Sequence, residues 1–258
     1  MFLNTMDLSA GEAKYSLALG KGSYSSILRQ NDETNFYLLP RWSYYNKQFY
    51  IENLDLGFNL VEYEAVSIDL STKQSFDALL FKQHSLNDSF MLGLSAGLPV
   101  NIPWGAEIND YFKPKERRLS YLAGFSVFVR LGNWQLVQEI HQDVTNVHDG
   151  FQITNQVRYA SQLQDFSYSI NGSTRWLSES YANYYYGVNN LETSNTYEYL
   201  PGQSLLTSLK IELSYRINES LRLVSSFKRE WFPSDFIQSL QIGQTQQDIT
   251  FTGILYSW

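Results

Sequence analysis

Apolar side chains recur at every second position in one stretch after another of this 258-residue chain. That alternation constrains the fold more than any other feature, because successive side chains of a strand point to opposite faces. Leu119, Tyr121, Ala123, Phe125, Val127 and Val129 alternate with Ser120, Gly124, Ser126 and Arg130. Trp134, Leu136 and Ile140 alternate with Gln135, Glu139, His141 and Asp143. Phe151, Ile153, Val157 and Tyr159 alternate with Gln152, Thr154, Gln156 and Arg158, and the same rhythm runs through 166–176, 205–216 and 221–228. The segments are about ten residues long, the length that crosses a bilayer when tilted. No run of about 18 apolar residues could cross as a helix.

The faces opposite the apolar rows carry charge: Arg41, Arg130, Arg158 and Arg175, then Lys210, Glu212 and Arg216, with Glu139, His141 and Asp143. A soluble lipocalin-like barrel also alternates, but it turns its apolar face inward. Ionised rows lining a lumen and apolar rows facing lipid fit a transmembrane antiparallel up-and-down β-barrel. About twelve strands are expected, with ten as the alternative if 73–83 is not a strand. An even count returns both chain ends to the periplasm. Connections alternate short (Gly132-Asn133, Asn218 to Ser220) and long (178–204, 233–247), as periplasmic turns and long extracellular loops would.

Particular expectations follow along the chain. Phe36, Leu38, Pro40, Trp42 and Tyr44 share an apolar face. Gln48 to Val61 reads as one strand with a bulge near Asn53, where the apolar phase changes. Residues 84–117 lack periodicity and read as a long surface loop. In the last stretch Thr250, Thr252, Ile254, Tyr256 and Trp258 share a face, as in a strand that closes a barrel. Residues 1–12 carry no secretory signal pattern and read as a periplasmic segment of a mature chain. Residues 13–258 then form a single barrel domain.

Composition supports this reading. Charged residues are 17% and aromatics 16%, with 19 tyrosines, which suit strands and membrane interfaces. Mean hydropathy is −0.30. There is no cysteine, hence no disulfide framework and no thiolate metal site. A net charge of −7 argues against nucleic-acid binding.

Several short stretches resemble the MipA/OmpV family of outer-membrane proteins, the MltA-interacting proteins. Tyr181-Ala-Asn-Tyr-Tyr-Tyr-Gly-Val188 is one. Others are Leu38-Leu39-Pro40 with Trp42-Ser43-Tyr44, and Phe49-Tyr50-Ile51 leading to Leu56-Gly57-Phe58. Asp143-Val144-Thr145 with His148 and Gly150 resembles the family's central turn, and Tyr256-Ser257-Trp258 its closing strand. The resemblance implies a bacterial outer-membrane location, in contact with lipid and lipopolysaccharide. For some members it implies a scaffold linking a lytic transglycosylase to a penicillin-binding protein; for others, adhesion or solute and antibiotic permeability. It brings no catalytic residues.

The chemistry expected of the site is correspondingly plain. Glu139, His141 and Asp143 lie two apart and could in principle do acid–base work at a rim. A solvated or salt-bridged lumen wall is favoured over a hydrolase, because no nucleophile stands beside them. No catalytic, cofactor or metal residues are assigned, and no enzyme is expected. The lumen charges either pair across and fill the bore or flank a narrow path for solutes; filling is favoured. The tyrosines at 184–186, Tyr197, Tyr199, Trp231 and Phe232 are expected as an outer aromatic girdle.

Overall fold

The computed structural model describes residues 12–29, 34–75, 77, 117–189 and 197–258. Twelve strands form a closed antiparallel barrel. They are β1 (Glu12–Tyr24), β2 (Thr34–Tyr45), β3 (Phe49–Glu52), β4 (Asp55–Tyr63), β5 (Val66–Gln74), β6 (Tyr121–Leu131), β7 (Trp134–Asp143), β8 (Phe151–Leu163), β9 (Phe166–Leu177), β10 (Ser204–Arg216), β11 (Leu221–Trp231) and β12 (Gln246–Ser257). Each strand pairs with its sequence neighbours, and β12 closes on β1 from Ser16↔Ser257 to Tyr24↔Ile249. Closure satisfies every edge, the condition for spanning hydrocarbon with strands.

The count matches the expectation, but the twelfth strand comes from elsewhere. Gln48 to Val61 is not one bulged strand. Asn53, at φ 55°, makes a hairpin turn that divides it into β3 and β4. Its side-chain oxygen accepts from the Trp42 N–H at 3.1 Å and its own N–H donates to the Trp42 carbonyl at 2.9 Å. Asn tolerates this left-handed backbone, so the apolar phase change there marks a reversal of direction. Within 73–83, β5 ends at Gln74, Ser75 and Asp77 lie outside strands, and the remainder falls outside the described residues. So does most of 84–117.

Large apolar side chains face outward. Leu19, Leu70, Phe125, Ile140, Val157, Ile170, Leu213, Leu223 and Ile254 are all exposed. Aromatics border this band at both ends. Tyr15, Tyr63, Trp134, Tyr215 and Tyr256 lie near the end with the short turns, and Tyr37 and Trp231 near the other. The ring of Trp258 stacks on Tyr15 across the closing seam, with centroids 6.1 Å apart. This is a hydrocarbon band between two interfacial girdles.

One expected face is corrected. Pairing places Leu38, Pro40, Trp42 and Tyr44 with the outward row of β1, but Phe36 pairs with inward Gly22. A register shift between Leu19 and Gly22 reverses the alternation. Phe36 is therefore buried in the lumen, stacked on Phe251 at 5.8 Å. With Ala18, Leu39, Val224, Ile249 and Leu255 they make one lumen wall apolar.

Candidate functional site

The two ends of the bore differ. At the end with the long loops it is packed. Helix α1 (Glu179–Tyr186) starts at Ser178, whose side chain accepts from the Tyr181 N–H. It buries Tyr181, Ala182, Tyr185 and Tyr186 against Leu122, Leu177 and Leu206 from the strands and Ile27, Phe232, Phe236 and Ile242 from the loops. The tyrosines at 185 and 186 and Phe232 are thus core and not girdle. Trp231, half-exposed on the outer face, does stand in the girdle.

A buried ion pair anchors this plug. Arg175 reaches up from β9 and donates to both Asp77 oxygens, at 2.8 and 3.1 Å. The Tyr181 hydroxyl donates to Asp77 at 2.8 Å and shares a hydrogen bond with Ser75 at 2.7 Å. Burial alone would raise the Asp77 pKa; the Arg175 guanidinium and the donated hydrogen bonds overcome it and hold it below the usual carboxylate value. Burial, reinforced by the Asp77 charge, drives the Tyr181 phenol well above its ordinary range. Glu230 adds a second carboxylate to Arg175 at 3.5 Å.

The 144–150 loop joins the plug through His148. Its Nδ1 accepts from the Gly150 N–H at 2.9 Å, so its Nε2 carries the proton and donates to Ser120 Oγ at 2.9 Å. The ring packs on Tyr181, with centroids 4.6 Å apart. Burial depresses its pKa although the Asp143 carboxylate lies 3.8 Å away.

At the other end the described residues leave a cavity in the lumen. It measures about 830 Å³ and is lined by the turn residues Asn46, Lys47, Gly132, Asn133 and Asp165 at its mouth and by strand side chains within. Its walls carry opposite charge. Strands β3–β5 turn Glu52, Asp55, Glu62 and Asp69 inward against one cation, Lys73. Strands β9–β11 lie across the ring of twelve from them. Of their inward charges, Arg216 and Arg222 line the cavity, Lys210, Lys228, Glu212 and Glu230 lie beyond it along the strands, and Arg175 stands in the plug.

The residues singled out from sequence fall into separate settings. Arg41 pairs in register with inward Ser16. Arg130, Gln135 and Arg158 follow one another in register across β6, β7 and β8, and Arg130 and Arg158 line the cavity. Glu212 holds Lys210 at 2.7 Å and stands 4.0 Å from Arg158. Arg216 bonds to Asp165 at the turn, at 2.8 Å. Arg175 belongs to the plug. Glu139, His141 and Asp143 do share the inward face of β7, yet each is engaged differently. Lys73 donates to Glu139 at 2.5 Å. The Nε2 of His141 meets Ser71 Oγ at 2.8 Å. The Asp143 carboxylate accepts the N–H groups of Thr145, Val147, His148 and Asp149 and the Thr145 hydroxyl, which shapes the outer turn. No three of the described His, Asp and Glu side chains cluster as a metal site.

Sequence reasoning missed Asp77, because it lies in 73–83, where a strand was in question and no charged side chain was singled out. It also missed the plug helix, whose signal was Ser178 followed by Glu179 ahead of a tyrosine cluster.

A family model described as "MltA-interacting protein MipA" matches residues 17–258. No curated protein matches. Among solved structures, the KdgM porin overlaps with a TM-score of 0.40 at 8% identity, covering 95% of this chain and 99% of that one. The COG4313 outer membrane channel from Pseudomonas putida F1 overlaps at 0.39 and 9%, covering 99% and 100%. A loop L8 deletion mutant of OmpT, an outer membrane protein of Vibrio cholerae, overlaps at 0.34 and 10%, covering 97% and 100%. Superpositions this loose say nothing of what this barrel binds or passes.

Proposed function

Because the chain belongs to the MipA family of MltA-interacting proteins, and so to the barrels of the bacterial outer membrane, we propose that it is a non-enzymatic scaffold. In this reading it docks peptidoglycan-remodelling enzymes, a lytic transglycosylase and a penicillin-binding protein, at its periplasmic rim. The observation that carries it is the difference between the two ends: a packed outer mouth and a stiff inner rim. That rim consists of short turns at 46–48, 64–65, 132–133, 164–165 and 217–220. Several are held in left-handed backbone, at Glu64 (φ 29°), Gly132 (φ 58°) and Gln164 (φ 53°). Short, hydrogen-bonded turns lose little entropy when a partner seats on them, which favours rigid docking.

The test is retention of a purified lytic transglycosylase on the folded, detergent-solubilised barrel. Retention above that of an unrelated barrel is expected, and replacing the turns at 132–133 and 164–165 together by Gly-Ser is expected to abolish it. Equal retention on both barrels would remove the reading. A narrow solute channel is the weaker reading, because Tyr181, Tyr185 and Tyr186 with Phe236 fill the path at the outer end.

A further inference from the structure

We propose that the periplasmic vestibule binds a small dipolar ligand, a short peptide with a free ammonium and a free carboxylate, laid across the bore between its two charged walls. The inference is independent of the docking reading. It starts from the charges inside the cavity that lack a counter-ion. Most lumen cations are matched: Lys73 by Glu139, Lys210 by Glu212 and Arg216 by Asp165. The Arg222 guanidinium lines the cavity with no side-chain hydrogen bond or ion pair to a described residue, and Arg158 has only the distant Glu212, at 4.0 Å; Arg130, on β6, acts electrostatically on Asp69 of the neighbouring β5. On the facing strands, Glu52, Asp55 and Glu62 line the same cavity with no cation in ion-pair contact among the described residues. The Glu52 carboxylate accepts the Tyr45 hydroxyl, and Asp55 accepts the Gln74 N–H at 3.2 Å.

Arg158 and Arg222 on one side and Glu52 and Glu62 on the other are thus charges of opposite sign with no counter-ion in contact among the described residues. Arg222 lies on β11 and Glu62 on β4, nearly opposite in the ring of twelve. A bore with low-dielectric walls focuses the field between two such faces. A ligand with one sign of charge would satisfy one wall and leave the other as it was. A ligand with an ammonium at one end and a carboxylate at the other satisfies both. The volume, about 830 Å³, lies in the range of small-ligand sites. A separate observation also points to an occupant. His141 lines the cavity and is 1% exposed, yet its Nδ1 has no hydrogen-bond partner. A buried polar atom left so is costly unless something supplies the bond.

The experiment is isothermal titration of the folded full-length barrel in neutral detergent. The probes are tetra-alanine with free ends, its N-acetyl form, its C-terminal amide and the doubly blocked form. The free peptide is expected to bind, each singly blocked form at least tenfold more weakly, and the doubly blocked form not at all. Arg158→Gln with Arg222→Gln should weaken the free peptide at least fivefold and leave the residual binding of the amide unchanged. Glu52→Gln with Glu62→Gln should weaken the free peptide and leave the N-acetyl form unchanged. The single rim variants Arg222→Gln and Glu62→Gln serve if a double variant fails to regain heat-modifiable gel migration. Equal binding of all four peptides overturns the proposal. So does binding of either singly blocked form as tightly as the free one, and so does absence of heat with the free peptide at millimolar concentration.

Discussion

Gly57 is where one hydrogen atom matters most. A Cβ there would come within 1.9 Å of Tyr50 Cζ, because the Tyr50 ring lies over its cross-strand partner Gly57 and sends its hydroxyl to Asp69 at 2.9 Å. Gly57→Val should displace the ring, break that hydrogen bond and cost about 1–3 kcal/mol, seen as a lowered urea midpoint in detergent. Asp77 makes a larger case. Asp77→Asn leaves Arg175 buried without full neutralisation, which in a closed site costs about 3–5 kcal/mol. With Arg175 retaining 19% side-chain exposure, the lower end, about 3 kcal/mol, is expected, read as faster tryptic cleavage of the outer loops. Replacing both partners, Asp77→Leu with Arg175→Met, should recover most of the loss; no recovery would mean that the pair is more than a mutual neutralisation. At this scale the sequence was only partly legible. Phe36 looked lipid-facing because alternation was counted through a register shift that leaves no mark in the residues. Leu122 and Phe251 are inward apolar residues in rows that the alternation read as polar.

Among elements, the plug depends on the 144–150 loop keeping His148 neutral. Its folded pKa lies below the ordinary 6.5, through burial, so the unfolded loop binds the proton more readily than the folded one. Stability is therefore complete above pH 6.5 and declines as pH falls from there toward the depressed value, by up to about 1.4 kcal/mol per pH unit. Protonation would also expel the Gly150 N–H from Nδ1. Protease protection of the outer loops should thus weaken between pH 7 and pH 5. His148→Gln should flatten that profile; an unchanged profile would place the acid response elsewhere. The strands themselves were largely legible, since a repeat of two is imposed by any wall with oil on one side and water on the other. The plug was not, because α1 is a short helix whose tyrosines are held by Asp77, Ser120 and loop residues far away in sequence, and no local pattern encodes those partners. The β3–β4 reversal was visible only as a change of phase.

Taken whole, the molecule is stabilised by its closing seam and its filled outer mouth. At the seam Gly20 faces Gly253 across β1 and β12, and a Cβ on Gly20 would stand 2.2 Å from the Thr252 carbonyl oxygen. Gly20→Val should hold the two strands apart and yield barrels that migrate as unfolded chains without heating. In planar bilayers the intact protein should be almost silent, and Asp77→Asn with Tyr185→Ala should bring discrete openings; steady large conductance from the intact protein would mean that the plug leaves the bore. A vessel shut above and open below has a further consequence. In the orientation proposed above it is a cup and not a pipe: a peptide held in it would enter and leave from the periplasm, and agents confined to the cell surface would not compete for the same seat.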